Sequence, residues 1–209
     1  MLKNLQNIKP LVAILRGVQA SAVLSVAELL VKEGFDAIEV PLNSPDPLDA
    51  ISLLAGEYGE TCLIGAGTVL TQNQVQLVYD AGGQLIVSPN TNPAVIRATK
   101  QLNMESLPGC ASPTEAFSAL AAGADGLKFF PAGALSLDMF KSLSAVLPAA
   151  TLTFAVGGVD EKNMQRFHDV GITGFGLGSS LFTPDKSMAE IQRNARASVH
   201  AFNALTTVN

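Results

Sequence analysis

Ala122-Gly123-Ala124-Asp125-Gly126-Leu127 stops an amphipathic stretch at a glycine and restarts as an apolar run, and the chain repeats this cadence twice more. Glu33-Gly34-Phe35-Asp36-Ala37-Ile38 and Val170-Gly171-Ile172-Thr173-Gly174-Phe175 have the same form. Each reads as a glycine just past a helix C-terminus, a short connection and then a strand. Working outward, strands are expected at Leu11 to Leu15, Ala37 to Val40, Cys62 to Ala66, Leu85 to Val87, Glu105 to Leu107, Gly126 to Phe130, Leu152 to Val156 and Gly174 to Leu177. Between them lie helical patterns such as Ala22 to Glu33, Thr71 to Ala81 with Thr71 as cap, Ala94 to Leu102, Thr114 to Ala122 and Glu161 to Val170. The rhythm runs without a linker or a shift in composition, which predicts one catalytic domain over residues 1–209. Eight strand-then-helix repeats in an α/β chain of this length point to a single closed parallel (β/α)8 TIM barrel. An open, doubly wound sheet with two extra units is the alternative that periodicity leaves standing.

Composition narrows the function. Hydrophobic residues make up 48% and charged residues 15%, ample for a core. A formal net charge of −5 supplies no global positive field for nucleic acid or an acidic membrane surface, so an anionic ligand must be held locally. The mean hydropathy of +0.32 raises the question of a membrane span. The charge-poor run Ser142 to Val159 is broken by Pro148, Thr151, Thr153 and Gly157-Gly158, and reads as helix end, loop and strand. At the N-terminus, Arg16 cuts the apolar run 11–15 too short for a signal peptide, so that run is read as the first strand. Cys62 and Cys110 lie in apolar segments and read as buried thiols of a reducing, cytoplasmic compartment.

In a barrel of this type the C-terminal strand ends carry the chemistry, and polar residues gather there. Arg16 ends the first strand, Glu39 lies in the second, Thr68 follows Gly65-Ala66-Gly67, and Asn90 follows Ser88-Pro89. Lys128 interrupts the apolar Gly126-Leu127-Lys128-Phe129-Phe130, whereas Lys3, Lys9, Lys32, Lys100, Lys141, Lys162 and Lys186 fall in the N-terminal segment, helices or polar turns. Alternation puts Lys128 on one face with Gly126 and Phe130, and Glu39 on one face with Ala37. Desolvation would favour a free amine at Lys128, able to attack a carbonyl carbon, while a carboxylate nearby would oppose it. Spacing alone equally admits a plain internal ion pair of Lys128 with Glu39. Gly157-Gly158 and Gly178-Ser179 end the last two strands, where such barrels often seat phosphate; they also read simply as tight turns. His168 and His200 lie in helices away from the strand ends, so no ligand cluster for a catalytic metal is expected.

In order along the chain, Ala13-Ile14-Leu15-Arg16-Gly17, Glu39-Val40-Pro41-Leu42-Asn43-Ser44, Gly65-Ala66-Gly67-Thr68-Val69-Leu70, Ser88-Pro89-Asn90, Pro108-Gly109-Cys110, Leu127-Lys128-Phe129-Phe130-Pro131-Ala132 and Val156-Gly157-Gly158-Val159 resemble the 2-keto-3-deoxy-6-phosphogluconate aldolase family. Within it, Asn43 stands where the gluconate branch carries the arginine of Glu-Val-Thr-Leu-Arg-Thr, and Pro89-Asn90 replaces its proline-glycine. Both departures resemble the branch acting on 2-keto-3-deoxy-6-phosphogalactonate. The resemblance implies a lysine aldolase needing neither metal nor cofactor, which yields pyruvate and D-glyceraldehyde 3-phosphate. In it Lys128 would form the imine and Glu39 would shuttle protons. Arg16, Thr68 and Asn90 would bind substrate, and Gly157, Gly158, Gly178 and Ser179 would hold its phosphate. Family members are commonly homotrimers, so the resemblance also implies a trimer. A phosphosugar isomerase or epimerase using Glu39 as base, and a sugar-phosphate sensor without turnover, remain as readings of other kinds.

Overall fold

The computed structural model describes residues 4–206. Nine parallel strand segments and eight α-helices alternate along it: β1 (Leu11–Ile14), α1 (Ala20–Glu33), β2 (Ala37–Pro41), α2 (Pro47–Tyr58), β3 (Leu63–Gly67), α3 (Gln72–Asp80), β4 (Leu85–Val87), α4 (Pro93–Gln101), β5 (Glu105–Leu107), β6 (Gly109–Cys110), α5 (Pro113–Ala121), β7 (Gly126–Phe129), α6 (Leu137–Ser144), β8 (Leu152–Val156), α7 (Met164–His168), β9 (Gly174–Leu177) and α8 (Met188–Asn203). The strand order is β5-β4-β3-β2-β1-β9-β8-β7-β6. Its two ends are successive pieces of one chain stretch, separated only by Pro108, which has no N–H to give a ladder. The Pro108 carbonyl still accepts from Lys128 N at 2.9 Å, and the Ser106 carbonyl accepts from Asp125 N at 3.0 Å. β5 and β6 are therefore the two halves of the fifth barrel strand, and the (β/α)8 barrel closes on them. The open-sheet alternative is excluded by this seam.

The three cadence glycines all sit in the left-handed region, with φ of +103° at Gly34, +100° at Gly123 and +97° at Gly171. Thr71 caps α3 in a reciprocal pair with Gln74, as its sequence position predicts. One expected helix is shorter than its pattern. Of Glu161 to Val170 only Met164–His168 is α-helical, because Asp160 Oδ1 accepts from the backbone of Lys162 and Asn163 and holds the start as a turn.

Strand alternation divides the apolar residues into two layers. Leu11, Ala13 and Leu15 face outward to the helices, while Val12 and Ile14 face the barrel axis. The axial core also holds Ala37, Leu63, Leu85, Val87, Leu107, Phe154 and Val156, with Leu5 and Ile8 closing the end at which the strands begin. Leu5 N is tied there to Glu105 Oε2 at 2.9 Å. Phe154 fits because its neighbour is Gly174, where a Cβ would come within 2.5 Å of the ring. Cys62 and Cys110 both pack in the outer layer.

Phe154→Ala would empty the middle of this axial core, and the loss should be about 3–5 kcal/mol. Urea denaturation should register it as a lower midpoint with little change in slope.

Candidate active site

Glu39 is fixed by its place on β2, with Ile14 on one side and Gly65 on the other. Lys128 is fixed on β7 between Gly109 and Phe154. Both side chains turn inward near the strand C-termini, where they are 2% and 6% exposed. They line one cavity of about 410 Å³, together with Arg16, Thr68, Pro89, Phe130, the 156–160 segment and Gly176, Gly178, Ser179 and Ser180. The sequence-predicted residues Lys128, Glu39, Arg16, Thr68, Gly157, Gly158, Gly178 and Ser179 thus meet at one mouth. Asn90 is exposed and lies outside this lining, in which its neighbour Pro89 takes part.

The internal ion pair admitted by spacing does not form. No direct ion pair links Lys128 to Glu39, and Glu39 Oε2 is buried with no hydrogen-bond partner. A buried acceptor without a protein partner costs on the order of 1–3 kcal/mol, and here it is open to a hydroxyl or water that enters the cavity. Gly67 makes room for it. A Cβ at Gly67 would lie 1.9 Å from Glu39 Oε2, so the carboxylate and any side chain there exclude each other.

Burial raises the Glu39 pKa to about 7, against the opposing pull of Lys128 and Arg16. Burial likewise lowers the Lys128 pKa, with Glu39 pulling it back up and Arg16 adding to the lowering. An amine that gives up its proton more readily and a carboxyl that titrates near neutrality suit nucleophilic attack and proton transfer. The Lys128 ammonium nitrogen also lies 4.9 Å from the Phe130 ring centroid, so an aromatic face covers it on one side.

The rim carries two features that single residues could not announce. Arg16, exposed at the end of β1, donates from Nη1 to Asn43 Oδ1. The residue that marks the departure from the gluconate motif is therefore the one that holds the arginine from the first strand. Thr68 adopts φ +57°, rare for a β-branched residue, and does so beside the cavity. Across the mouth, Gly157 and Gly158 have φ of +87° and +76°, and a Cβ at Gly158 would press on Gly133 at 3.2 Å. Close backbone packing requires glycine at that point. No group of three His, Cys, Asp or Glu suited to a metal ion occurs among the described residues.

A buried amine and a buried carboxyl at the C-terminal mouth of a parallel barrel suit covalent chemistry on a carbonyl substrate. Residues 2–198 match the family model "Aldolase: KDPG and KHG aldolase", and the chain belongs to that family. It is 45% identical over 193 residues to the 2-dehydro-3-deoxy-6-phosphogalactonate aldolase of Escherichia coli (strain K12), covering 92% of this chain and 94% of that protein. A solved structure described as native KDPGal superposes with a TM-score of 0.91 at 44% identity, covering 93% of this chain and 94% of the other. The KDPG aldolase of Legionella pneumophila, solved with pyruvate captured at low pH as a covalent carbinolamine intermediate, superposes with a TM-score of 0.79 at 28% identity, covering 95% of each chain.

The raised Glu39 pKa has a consequence for stability. The folded state prefers the protonated carboxyl, so Glu39 stabilises fully below its unfolded value near 4.5, and that contribution is lost as pH rises through about 7. Relative to wild type, Glu39→Gln should therefore become more stable as pH is raised from about 5 to about 8. Tm measured for both proteins across that range tests the sign.

Proposed function

We propose that this protein is a class I aldolase cleaving 2-dehydro-3-deoxy-6-phospho-D-galactonate to pyruvate and D-glyceraldehyde 3-phosphate. The observation that carries the reading is the buried Lys128 amine sharing a cavity with the unpartnered Glu39 carboxyl. Lys128 Nζ, as the free amine, adds to the C2 ketone, and Glu39 gives the proton with which the carbinolamine loses water to become a protonated imine. The Glu39 carboxylate then takes the C4 hydroxyl proton. The C3–C4 bond breaks, its electron pair passes into the imine as an enamine, and D-glyceraldehyde 3-phosphate leaves. Protonation at C3 and hydrolysis of the imine release pyruvate and restore the amine. The carbinolamine described for the Legionella protein is the adduct an amine forms with pyruvate, and it supports the covalent reading.

Arg16 and Thr68 hold the carboxylate end, the arginine as a charged donor. The phosphate rests against Gly157, Gly158, Gly178 and Ser179, where the glycines let backbone N–H groups approach an anion. Asn90, exposed and outside the cavity lining, takes no part in this scheme. The Arg16–Asn43 contact favours the galactonate epimer, since it puts the guanidinium on the first strand in place of the gluconate-branch motif arginine. Trimeric assembly and a cytoplasmic location belong to the same proposal.

Two experiments test it. Pyruvate with borohydride should leave a reduced adduct on Lys128 in a peptide map, and Lys128→Arg should abolish both adduct and turnover although it keeps the charge. An adduct on another lysine, or substantial activity in the variant, overturns the mechanism. Purified protein should also cleave the galactonate epimer at least about tenfold more efficiently than the gluconate epimer, a difference near 1.4 kcal/mol in kcat/KM. The reverse preference would assign it the gluconate substrate instead.

A further inference from the structure

Four peptide units around the phosphate end of the cavity have their carbonyls tied away by partners of their own. Gly157 O accepts from Gly133 N at 2.8 Å, and Gly158 O accepts from Asn163 Nδ2 at 2.8 Å. Val159 O accepts from Ser180 Oγ at 2.8 Å. Ser179 O accepts from Lys186 Nζ at 2.5 Å, and the same ammonium lies 3.5 Å from Thr183 Oγ1. In a planar trans peptide the N–H points opposite the C=O, so fixing a carbonyl on one side fixes the direction of the next residue's N–H. Tying Ser179 O to Lys186 therefore aims Ser180 N–H the other way. Gly158, Val159, Ser179 and Ser180 line the cavity, whereas Lys186 and Asn163 do not. Among the described residues, no acceptor takes the N–H groups of Gly158, Val159 or Ser180.

Resting on the phosphate seat proposed above, we propose that Lys186 is a positioning residue for it. It holds the Ser179 peptide with its donor edge toward the substrate. Three of the four anchors are neutral: a backbone N–H, an amide and a hydroxyl. Lys186 is the charged one. A cation on the Ser179 carbonyl polarises the whole peptide, which makes Ser180 N–H a stronger donor to an anion. It also sets one positive charge behind a loop whose lining includes Asp160 and no lysine or arginine of its own. Lys186 thus acts through the Ser179–Ser180 peptide, without forming part of the cavity wall. Sequence gives no sign of this, because in sequence Lys186 is one lysine in a polar turn.

The test compares wild type, Lys186→Met, Lys186→Gln and Lys186→Arg on the phosphorylated keto-deoxy acid and on its unphosphorylated counterpart. Inorganic phosphate serves as a competing probe. Lys186→Met should raise KM for the phosphorylated substrate and the inhibition constant of phosphate by about tenfold each, with kcat changed far less. KM for the unphosphorylated compound should move by less than about twofold. Pyruvate trapping on Lys128 should be retained. Lys186→Arg should recover most of the loss, and Lys186→Gln, which keeps a donor but drops the charge, should fall between. If Lys186→Met lowers Tm markedly, the Arg and Gln variants carry the comparison. Equal losses on both substrates would mean that Lys186 only supports the loop, and no loss on either would remove it from the site. Should phosphate fail to compete in wild type, and the two substrates be handled alike, the phosphate seat itself is wrong and the Lys186 role falls with it.

Discussion

Glu39 and Lys128 share one cavity without touching, and much of the surrounding architecture keeps them that way. Opposite charges in a desolvated space attract strongly, so a pliable fold would let them collapse into the ion pair that spacing alone permits. Here each is held on a strand with hydrogen-bonded neighbours on both flanks, β1 and β3 for Glu39, β6 and β8 for Lys128. Below them Val12, Leu63, Leu85, Leu107 and Phe154 fill the barrel axis. The side chains therefore cannot settle inward, and Gly67 gives the carboxylate a place to stand. Apolar packing at one end of the barrel is thus what keeps polar chemistry available at the other.

The same division explains why both groups depart from their ordinary pKa values in opposite senses. Desolvation disfavours either charge and leads in both cases, while their mutual attraction opposes it from a distance. Arg16 adds a second positive charge at the rim, which favours the carboxylate and disfavours the ammonium. Its tether to Asn43 keeps that charge on the β1–β2 side of the mouth. Electrostatic character in the cavity is therefore set as much by what holds Arg16 as by the two buried groups themselves.

The fold was legible because its signals are local. A glycine after a helix and an apolar run after the glycine report backbone conformation residue by residue, and Gly34, Gly123 and Gly171 adopt the left-handed conformation that pattern requires. Lys128 and Glu39 were legible because a charge inside an alternating apolar strand has few places to point. Asn90 stands just outside the lining, because position after a strand does not say which way a loop residue turns, and Pro89 takes the wall there. The fifth strand was only half seen, since Pro108 looks like a breaker until both of its flanks are found in ladders. Arg16 with Asn43, and Lys186 with Ser179, are contacts between loops, and no periodicity in the sequence encodes them.

The seam at Pro108 also bears on how the molecule meets its neighbours. An open sheet ends in two strands whose unsatisfied N–H and C=O groups can recruit a strand from another chain. In this ring the two terminal ladder segments are consecutive in the chain and a single residue apart, so the sheet has no free rim. Association by strand addition is closed to it, and copies of the chain that assemble must do so through helices and loops.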